Sequence, residues 1–194
     1  MGSFRENTAE KIIEAGRQLI MRRGYNGFSY ADVAEAVDIR KASIHHHFPT
    51  KADLAIAVVR QSCEMFDADL ASLQATGVDP LVQLRAYVGH WERCIADDSA
   101  PFCVAGMLGA ELPTLPDDLA QEVRSHFENI EKWLEGVLGA GVQSNQLALK
   151  GTAKSEAAML IAVIYGAMLT ARAHGSAELF QQVASEAIAR LIRT

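Results

Sequence analysis

The sequence has little of what secreted and membrane proteins depend on. Its three cysteines, Cys63, Cys94 and Cys103, are odd in number and far apart, which argues against a disulfide framework and predicts reduced thiols. No basic segment leads into an apolar run near the N-terminus, so we expect no secretory signal. The most apolar stretch, residues 157–173, is short and interrupted by a tyrosine, a threonine and an arginine, which favours a helix buried at an interface over a membrane span. These absences predict a cytoplasmic protein with no membrane partner.

Motifs of the common enzyme classes are also missing. The chain has no Gly-rich phosphate-binding loop, no nucleophile elbow and no helical His-Glu zinc motif. The run His45-His46-His47 is the nearest approach to a metal-binding sequence. Adjacent residues on a helix point about 100° apart, so three in a row cannot converge on one ion. We therefore expect no catalytic residues, no metal and no cofactor.

Positive charge is scarce in the chain as a whole, which has 18 Lys and Arg against 24 Asp and Glu. It is not scarce everywhere, because residues 1–60 have a net charge of about +2 and residues 61–194 one of about −8. The N-terminal third is thus the part suited to face phosphates. The acidic remainder would be repelled by them, which would help to orient the protein on a nucleic acid.

What the sequence does contain is a succession of helical patterns with recognisable ends. Ser29, Thr50 and Asp79 have the positions of N-caps, and Gly24 follows the first helix as a C-terminal glycine does. No strand pattern is present, so we predict an all-α fold. The predicted helices cover residues 8–23, 30–37, 40–47, 51–74, 80–96, 102–112, 116–138, 155–174 and 176–192.

The second and third helices are short and separated by a tight break at residues 37–39. Ser29 with Asp32 three residues later has the spacing of a capping box. On the third helix Ala42, Ile44 and Phe48 would face inward. Five polar side chains would then face outward; they are Arg40, Lys41, Ser43, His45 and His46. A helix this short needs its neighbours for stability, and a basic exposed face on it is typical of a helix-turn-helix whose second helix reads DNA.

Residues 8–54 resemble the DNA-binding domain of tetracycline repressor (TetR) family regulators. The resemblance rests on IIEA at 12–15, GYNGFS at 24–29, DVA at 32–34 and ASIHHHFPTKADL at 42–54. Three positions depart from the usual pattern: Asp38 stands where the family commonly has Gly, Arg40 where it often has Ser or Thr, and His45 where it often has Tyr. Without a hydroxyl at Arg40, the third helix must be capped by Asp38 or by backbone.

The resemblance implies a function and a division of the chain. Residues 1–50 would form the helix-turn-helix domain and residues 51–194 a ligand-binding and dimerisation domain, with the fourth helix as connector. The protein would be a transcriptional repressor that dissociates from its operator DNA when a small-molecule effector binds. The alternative is a small all-α enzyme or ligand carrier with an incidental helix-turn-helix.

The DNA contacts that the resemblance implies come from three helices. Arg40, Lys41, Ser43 and His45 would lie against base edges, and Arg40 or Lys41 with guanine is the expected specific pair. The other members of the set would contact phosphate; they are Ser29, Tyr30, His46, His47 and Lys51. Phosphate contacts position a protein, whereas base contacts select a sequence.

Ten residues further along are candidates for an effector site because they are aromatic, contain sulfur or, in one case, are acidic. They are Tyr87, Trp91, Cys94, Phe102, Cys103, Met107, Glu111, Phe127, Tyr165 and Met168. Each could simply be a core residue, and only the set indicates a cavity. The resemblance also implies an effector site within these helices, so we expect a small, largely apolar or aromatic ligand.

Cys103 permits a second interpretation of the effector. It begins a short predicted helix, where the helix dipole lowers the pKa of a thiol. Some family members that respond to electrophiles or oxidants have a Cys here and an acid at the position of Glu111. Cys103 is therefore either a sensor of an electrophilic effector or an inert thiol.

The last two predicted helices, near 155–174 and 176–192, have wider apolar surfaces than a single core contact needs. Gly166 and many alanines would allow close helix approach. We therefore predict a homodimer formed by a four-helix interface. Two recognition helices related by a two-fold axis would read a near-palindromic duplex operator.

Overall fold

The computed structural model describes residues 2–75, 77–97, 99–100 and 102–193. The described chain is helical and contains no strand, so the all-α prediction is confirmed. The helices are α1 Gly2–Arg23, α2 Tyr30–Val37, α3 Lys41–His47, α4 Lys51–Ala75, α5 Pro80–Ala96, α6 Val104–Ala110, a 3-10 turn Leu112–Thr114, α7 Asp117–Gln143, α8 Ala153–His174 and α9 Ala177–Ala189. Parts of two predicted connections, at Thr76, Asp98 and Pro101, lie outside the described residues.

The starts of three helices are fixed by the capping residues that the sequence predicts. Ser29 and Asp32 form the reciprocal capping box of α2. Thr50 and Asp53 exchange the same bonds at the start of α4, where the Thr50 N–H donates to the Asp53 carboxylate at 2.8 Å. Asp79 accepts the Leu81 N–H at 2.8 Å and begins α5. Local side-chain chemistry is thus sufficient to place these helix starts.

Several predicted helix bounds are wrong. The first helix begins at Gly2, six residues before the predicted Thr8, and α9 ends at Ala189 instead of 192. The predicted 102–112 helix is divided, because a 3-10 turn containing Pro113 follows α6.

The α7 helix also continues past its predicted end, through Gly139 and Gly141 to Gln143. Gly141 has a packing role, because a Cβ there would lie 2.3 Å from the Leu147 side chain. The following loop folds back over the helix, and the Leu147 N–H donates to the Gly141 carbonyl at 3.0 Å. The glycines that predicted a chain break are therefore part of the helix.

The described chain forms two compact units with different bounds from the predicted domains. One unit contains residues 1–65 with 103–126, and the other contains residues 66–102 with 127–194. In the first unit Ile12, Ile20, Val33, Ile44 and Leu54 are fully buried. This core fixes α1, α2 and α3 together, so that the short third helix has the support it needs.

The second unit is built around α8 and α9, with α5 packed on α9. Its core includes Leu84, Ile130, Leu134, Ile164 and Phe180, all fully buried. After α9 the chain pairs back with the loop before α8, where Leu147 and Ile192 form an isolated antiparallel bridge. This pairing explains why α9 ends early.

The α8 helix contains the apolar stretch 157–173, for which the sequence favours a buried helix over a membrane span. By length and composition Ala153–His174 could cross a membrane, and it is the one such helix among the residues described. Core helices of soluble proteins pass the same test. Here Leu160, Ile164, Ala167 and Met168 of α8 are buried within the second unit.

Candidate nucleic-acid interface and effector region

The turn between α2 and α3 has the geometry that a helix-turn-helix needs. Asp38 adopts the left-handed conformation, with φ 56° and ψ 50°. The Asp38 and Ile39 N–H groups donate to the Glu35 and Ala34 carbonyls at 3.3 and 3.1 Å, which closes the end of α2. Asp is among the few residues other than Gly that accept this conformation, so the departure from Gly leaves the turn intact.

The α3 helix presents a polar face away from the core. All five side chains expected to face outward are exposed; they are Arg40, Lys41, Ser43, His45 and His46. Arg40 occupies the N-cap position without a side-chain capping bond, so its guanidinium is not used to start the helix. Ile44 is the buried residue of α3.

The expectation that Ala42 faces inward is wrong. Ala42 is exposed, whereas Phe48 is half-buried as expected. Residues two apart on a helix point about 200° apart, so Ala42 lies opposite Ile44, while Phe48, four residues on, shares its face. This position adds a small apolar surface to the exposed face.

His45 differs from its neighbours because one ring nitrogen is engaged by the backbone. Its Nδ1 lies 3.1 Å from the Pro49 carbonyl oxygen, and its ring meets the Tyr30 ring edge-on at 4.8 Å. His46 and His47 contact each other, with ring centroids 5.6 Å apart, and His47 is half-buried. The three rings therefore have three different environments.

Ser29 and Tyr30, predicted to contact phosphate, are both engaged within the domain. The Ser29 hydroxyl accepts the Ala31 N–H and donates to the Asp32 carboxylate. This bond to Asp32, with a second from the Ser29 N–H, lowers the pKa of Asp32 to about 2. The Tyr30 hydroxyl lies 2.8 Å from the Phe48 carbonyl and 2.5 Å from that of Thr50. Burial, with the Asp53 charge, raises the pKa of Tyr30 to about 12. Backbone N–H groups at the start of α2 remain the suitable donors for a phosphate.

Lys51 is folded against the domain in this structure. Its ammonium donates to the Phe28 carbonyl at 2.5 Å and lies 4.5 and 4.4 Å from the centroids of the Tyr25 and Phe28 rings. Burial lowers the pKa of Lys51 from its ordinary value. Lys51 thus holds the loop before α2 to the start of α4, and its contact with phosphate stays a prediction.

Seven of the effector candidates lie in the second unit, and the structure brings some of them together. Tyr87 and Trp91 of α5 both pack on Phe66, with ring centroids 5.9 and 5.7 Å away, and Tyr87 also contacts Trp133 at 5.7 Å. The indole N–H groups of Trp91 and Trp133 are buried with no hydrogen-bond acceptor among the described residues. Two buried donors in an aromatic cluster are a natural site for a ligand that carries an acceptor.

The remaining candidates in this unit form smaller contacts. Phe127 and Tyr165 pair at 5.1 Å, and the Arg172 guanidinium lies 5.9 Å from the Phe102 ring. The Cys94 sulfur lies 3.7 Å from His90 Nε2. Met168 is fully buried, as a core residue would be.

The other three candidates, Cys103, Met107 and Glu111, belong to the first unit. Cys103 is the N-cap residue of α6 and is 5% exposed. Its sulfur lies 3.7 Å from His126 Nε2, and the Cys63 sulfur lies 3.1 Å from Nδ1 of the same ring. Burial lowers the pKa of His126 to about 4, so the neutral imidazole can accept from one thiol and donate to the other sulfur.

Glu111 is engaged with the helix-turn-helix domain instead of lining a cavity. Its carboxylate accepts the Tyr25 N–H at 2.5 Å and the Asn26 N–H at 3.2 Å. These donors follow Gly24, which ends α1 with φ 72° and leaves no room for a Cβ beside the carboxylate. Glu111 therefore ties the end of α6 to the turn after α1.

Comparison with known proteins agrees with this arrangement over most of the chain. The family described as "Bacterial regulatory proteins, tetR family" matches residues 12–58, and "Tetracyclin repressor-like, C-terminal domain" matches residues 80–187. The chain belongs to the tetR family. The expected resemblance is thereby confirmed, and the match of the second description covers the helices that carry most effector candidates.

Similar structures and sequences bear names of the same kind. A tetR-family transcriptional regulator from Agrobacterium tumefaciens is 46% identical, with a TM-score of 0.94 over 97% of this chain and 100% of that one. A TetR transcriptional regulator from Legionella pneumophila is 27% identical, with a TM-score of 0.84 over 94% and 96%. The HTH-type transcriptional repressor NemR of Escherichia coli is 22% identical over 89% of this chain and 87% of its own.

Two residues of the effector region are identified only in three dimensions. Phe66 and His126 each contact predicted effector candidates, although helical periodicity does not mark either as a candidate. Phe66 sits on the buried side of α4, and His126 on that of α7, so their helical periodicity marks them as core residues and nothing more. The residues that they contact lie on other helices, so that these contacts can be identified only from the folded structure.

Proposed function

We propose that this tetR-family protein is a repressor that binds a near-palindromic operator as a homodimer and leaves it when a small molecule binds. The observation that supports this best is the exposed polar face of α3, while Ile44 on the opposite face is buried in the core. The exposed polar residues are Arg40, Lys41, Ser43, His45 and His46. Neither catalysis nor ligand transport requires an exposed basic face on a short helix. The enzyme alternative is also disfavoured by family membership.

The decisive experiment is a gel shift with duplexes from the intergenic DNA beside the gene, at several salt concentrations. We expect one duplex to be preferred and its affinity to fall steeply with salt, because phosphate contacts release counterions. Binding that is absent, or equal for every duplex, would contradict the proposal. In cells, a reporter behind the preferred duplex distinguishes repression from activation.

The interface of the homodimer is proposed to be the groove between α8 and α9. It has a volume of about 600 Å³ and an apolar floor that includes Met159, Leu160, Val163 and Leu191. Met159 lines this groove and is 60% exposed, and Leu169 of the same helix is 59% exposed, so that a partner seated here would cover large apolar side chains. Charges of both signs at the rim, from Lys150, Glu156, Glu186 and Arg190, suit a self-complementary contact.

The effector is proposed to bind at the aromatic cluster of Phe66, Tyr87, Trp91 and Trp133. The rings favour a flat apolar molecule, and the buried indole N–H groups favour one with a carbonyl or similar acceptor. Tryptophan fluorescence reports on this site directly, because Trp91 and Trp133 are the two tryptophans of the chain. An effector that releases DNA without changing the emission of either tryptophan, tested with Trp91→Phe and Trp133→Phe, would contradict this placement.

An electrophilic effector acting at Cys103 is the competing proposal. Its support is the Cys63–His126–Cys103 contact, which places an imidazole nitrogen 3.7 Å from the Cys103 sulfur. With a quinone, the Cys103 sulfur bonds to a ring carbon, the displaced electron pair moves to the carbonyl oxygen, and that oxygen takes the proton of the thiol. If the wild type releases DNA with quinone and Cys103→Ser does not, while Cys63→Ser still does, Cys103 is the sensor. Equal release by all three would make both thiols packing residues.

Release is proposed to pass through α4, which runs continuously from Lys51 in the first unit to Ala75 in the second. A ligand shifts an equilibrium only if it binds one conformation better than the other. A tilt of α4 in each subunit would change the separation of the two recognition helices and weaken both half-sites together. Such coupling is typically about 1–3 kcal/mol and must be reciprocal, so DNA should weaken effector binding by the same factor.

A further inference from the structure

His45 is anchored at one nitrogen of its ring while the residue as a whole is exposed. Its Nδ1 lies 3.1 Å from the carbonyl oxygen of Pro49, four residues later, where the chain leaves α3. The Tyr30 ring packs edge-on against the imidazole at 4.8 Å. These two contacts fix the plane of the ring on the exposed face of α3.

The Pro49 contact also fixes which nitrogen carries the proton. A carbonyl oxygen can only accept, so Nδ1 must be the donor. A neutral imidazole has one N–H, which leaves Nε2 as a bare acceptor. The nitrogen that is not engaged by the backbone therefore has a defined hydrogen-bonding polarity.

We infer that His45 selects a base through Nε2, and that the Pro49 carbonyl sets the polarity of this contact. This inference rests on the proposed DNA-binding function and adds the class of base. In the major groove the donors are the amino groups of adenine N6 and cytosine N4, so neutral His45 accepts from adenine or cytosine. Protonated His45 donates from both nitrogens, and Nε2–H then needs an acceptor, which guanine, thymine and adenine N7 supply and cytosine does not.

The same atom thus reverses its preference over the pH range in which histidine titrates. The titratable and charged groups near the ring are Tyr30, which touches it, Lys41 one turn earlier on α3, His46 beside it, and Asp53 of α4, whose charge acts on Tyr30.

The tautomer is tested first, on the full-length protein without DNA. Nitrogen-15 NMR of the imidazoles at about pH 8 distinguishes the two neutral tautomers, and the His45 signals are those lost in His45→Asn. We expect a protonated Nδ1 and a bare Nε2 for His45. A proton on Nε2 instead would overturn the inference whatever the protein binds.

Base selection is tested with a pool of randomised duplexes, selected at about pH 8 and about pH 6. We expect one position in each half-site to favour adenine or cytosine roughly tenfold at the higher pH, and to lose cytosine in favour of bases with an acceptor, such as guanine or thymine, at the lower pH. The position should become unselective in His45→Ala and stay selective in His46→Ala, the matched variant one residue away. Both variants should keep the melting temperature of the wild type, because both residues are exposed.

Two negative outcomes have different meanings. Enrichment of no sequence by the wild type would contradict the proposed function itself. Enrichment of the same bases by wild type and His45→Ala, at both pH values, would overturn this inference alone.

Discussion

Arg40 and Lys41 carry the charges that α3 exposes at its first turn, and neither is used to cap the helix. We predict that Arg40→Ala or Lys41→Ala costs about 1–3 kcal/mol at one base pair of the operator and relaxes selection there, because a long basic side chain makes a bidentate contact with guanine. Competition binding with operators changed at single positions measures this. Lys154→Ala, which removes an exposed lysine at the start of α8, is the charge-matched control. Equal losses on all operator variants would mean that Arg40 and Lys41 contact phosphate instead.

The sequence predicts only a phosphate contact for Lys51, whereas the structure also gives this residue a role in stability. Its ammonium already binds the Phe28 carbonyl and two aromatic rings. We therefore predict that Lys51→Ala lowers the free energy of unfolding as well as weakening binding to all sequences alike. Urea unfolding of the free protein separates the two effects. Unchanged stability, with a salt slope shallower by about one unit, would mean that Lys51 acts on phosphate alone.

The buried side chain of His126 makes the stability of the protein depend on pH. Burial lowers the pKa of His126 to about 4, from an ordinary value of 6.5. Between these values the unfolded chain binds a proton that the folded protein does not, so stability is complete above about pH 6.5 and falls as the pH drops towards 4. The shift corresponds to roughly 3 kcal/mol. We predict that His126→Gln removes this part of the pH dependence in urea titrations. His174→Gln, at an exposed histidine in the last turn of α8, should leave it unchanged.

At the scale of the element, the helix-turn-helix depends on one residue with positive φ. Asp38 is left-handed at φ 56°, a conformation that costs an ordinary L-residue about 1–2 kcal/mol. We predict that Asp38→Ala destabilises the protein by about 1 kcal/mol and that Asp38→Gly does not. Urea unfolding at neutral pH measures the difference. Equal stability of the two variants would show that the Asp38 side chain, and not its backbone conformation, is what the turn needs.

The elements also show how far sequence reasoning reaches in this fold. Ser29, Thr50 and Asp79 predicted their helix starts because a cap is a contact between residues two or three apart. Glu111 could not be assigned in the same way, since the N–H groups it accepts lie 86 and 85 residues earlier. The Cys63–His126 contact spans 63 residues and is likewise invisible to local patterns.

The exposed face of α3 lies between these cases. The exposure of its polar side chains follows from helical periodicity. The prediction that Ala42 faces inward does not, because Ala42 and Ile44 are two residues apart and point to opposite sides of the helix. The anchoring of His45 by Pro49 depends on how the chain leaves the helix, which periodicity does not describe.

At the scale of the whole molecule, operator binding requires two copies of the chain. A near-palindromic site presents half-sites about 34–36 Å apart or a multiple of that distance, which one recognition helix cannot span. The proposed contact is the α8–α9 groove, where Met159 is 60% exposed over an apolar floor. A charge placed there would be buried without a partner in the dimer, which is among the most destabilising changes an interface can undergo.

We therefore predict that Met159→Asp is monomeric at micromolar concentration, where the wild type sediments as a dimer. Val82→Asp is the control, because Val82 of α5 is also a large apolar residue, 47% exposed, but does not line the groove. The monomeric variant should keep the helical content of the wild type and bind DNA with about half its salt slope, since half the phosphate contacts are lost. A wild type that sediments as a monomer would refute the dimer. Dissociation by Val82→Asp and not by Met159→Asp would move the interface from α8 and α9 to the surface around α5.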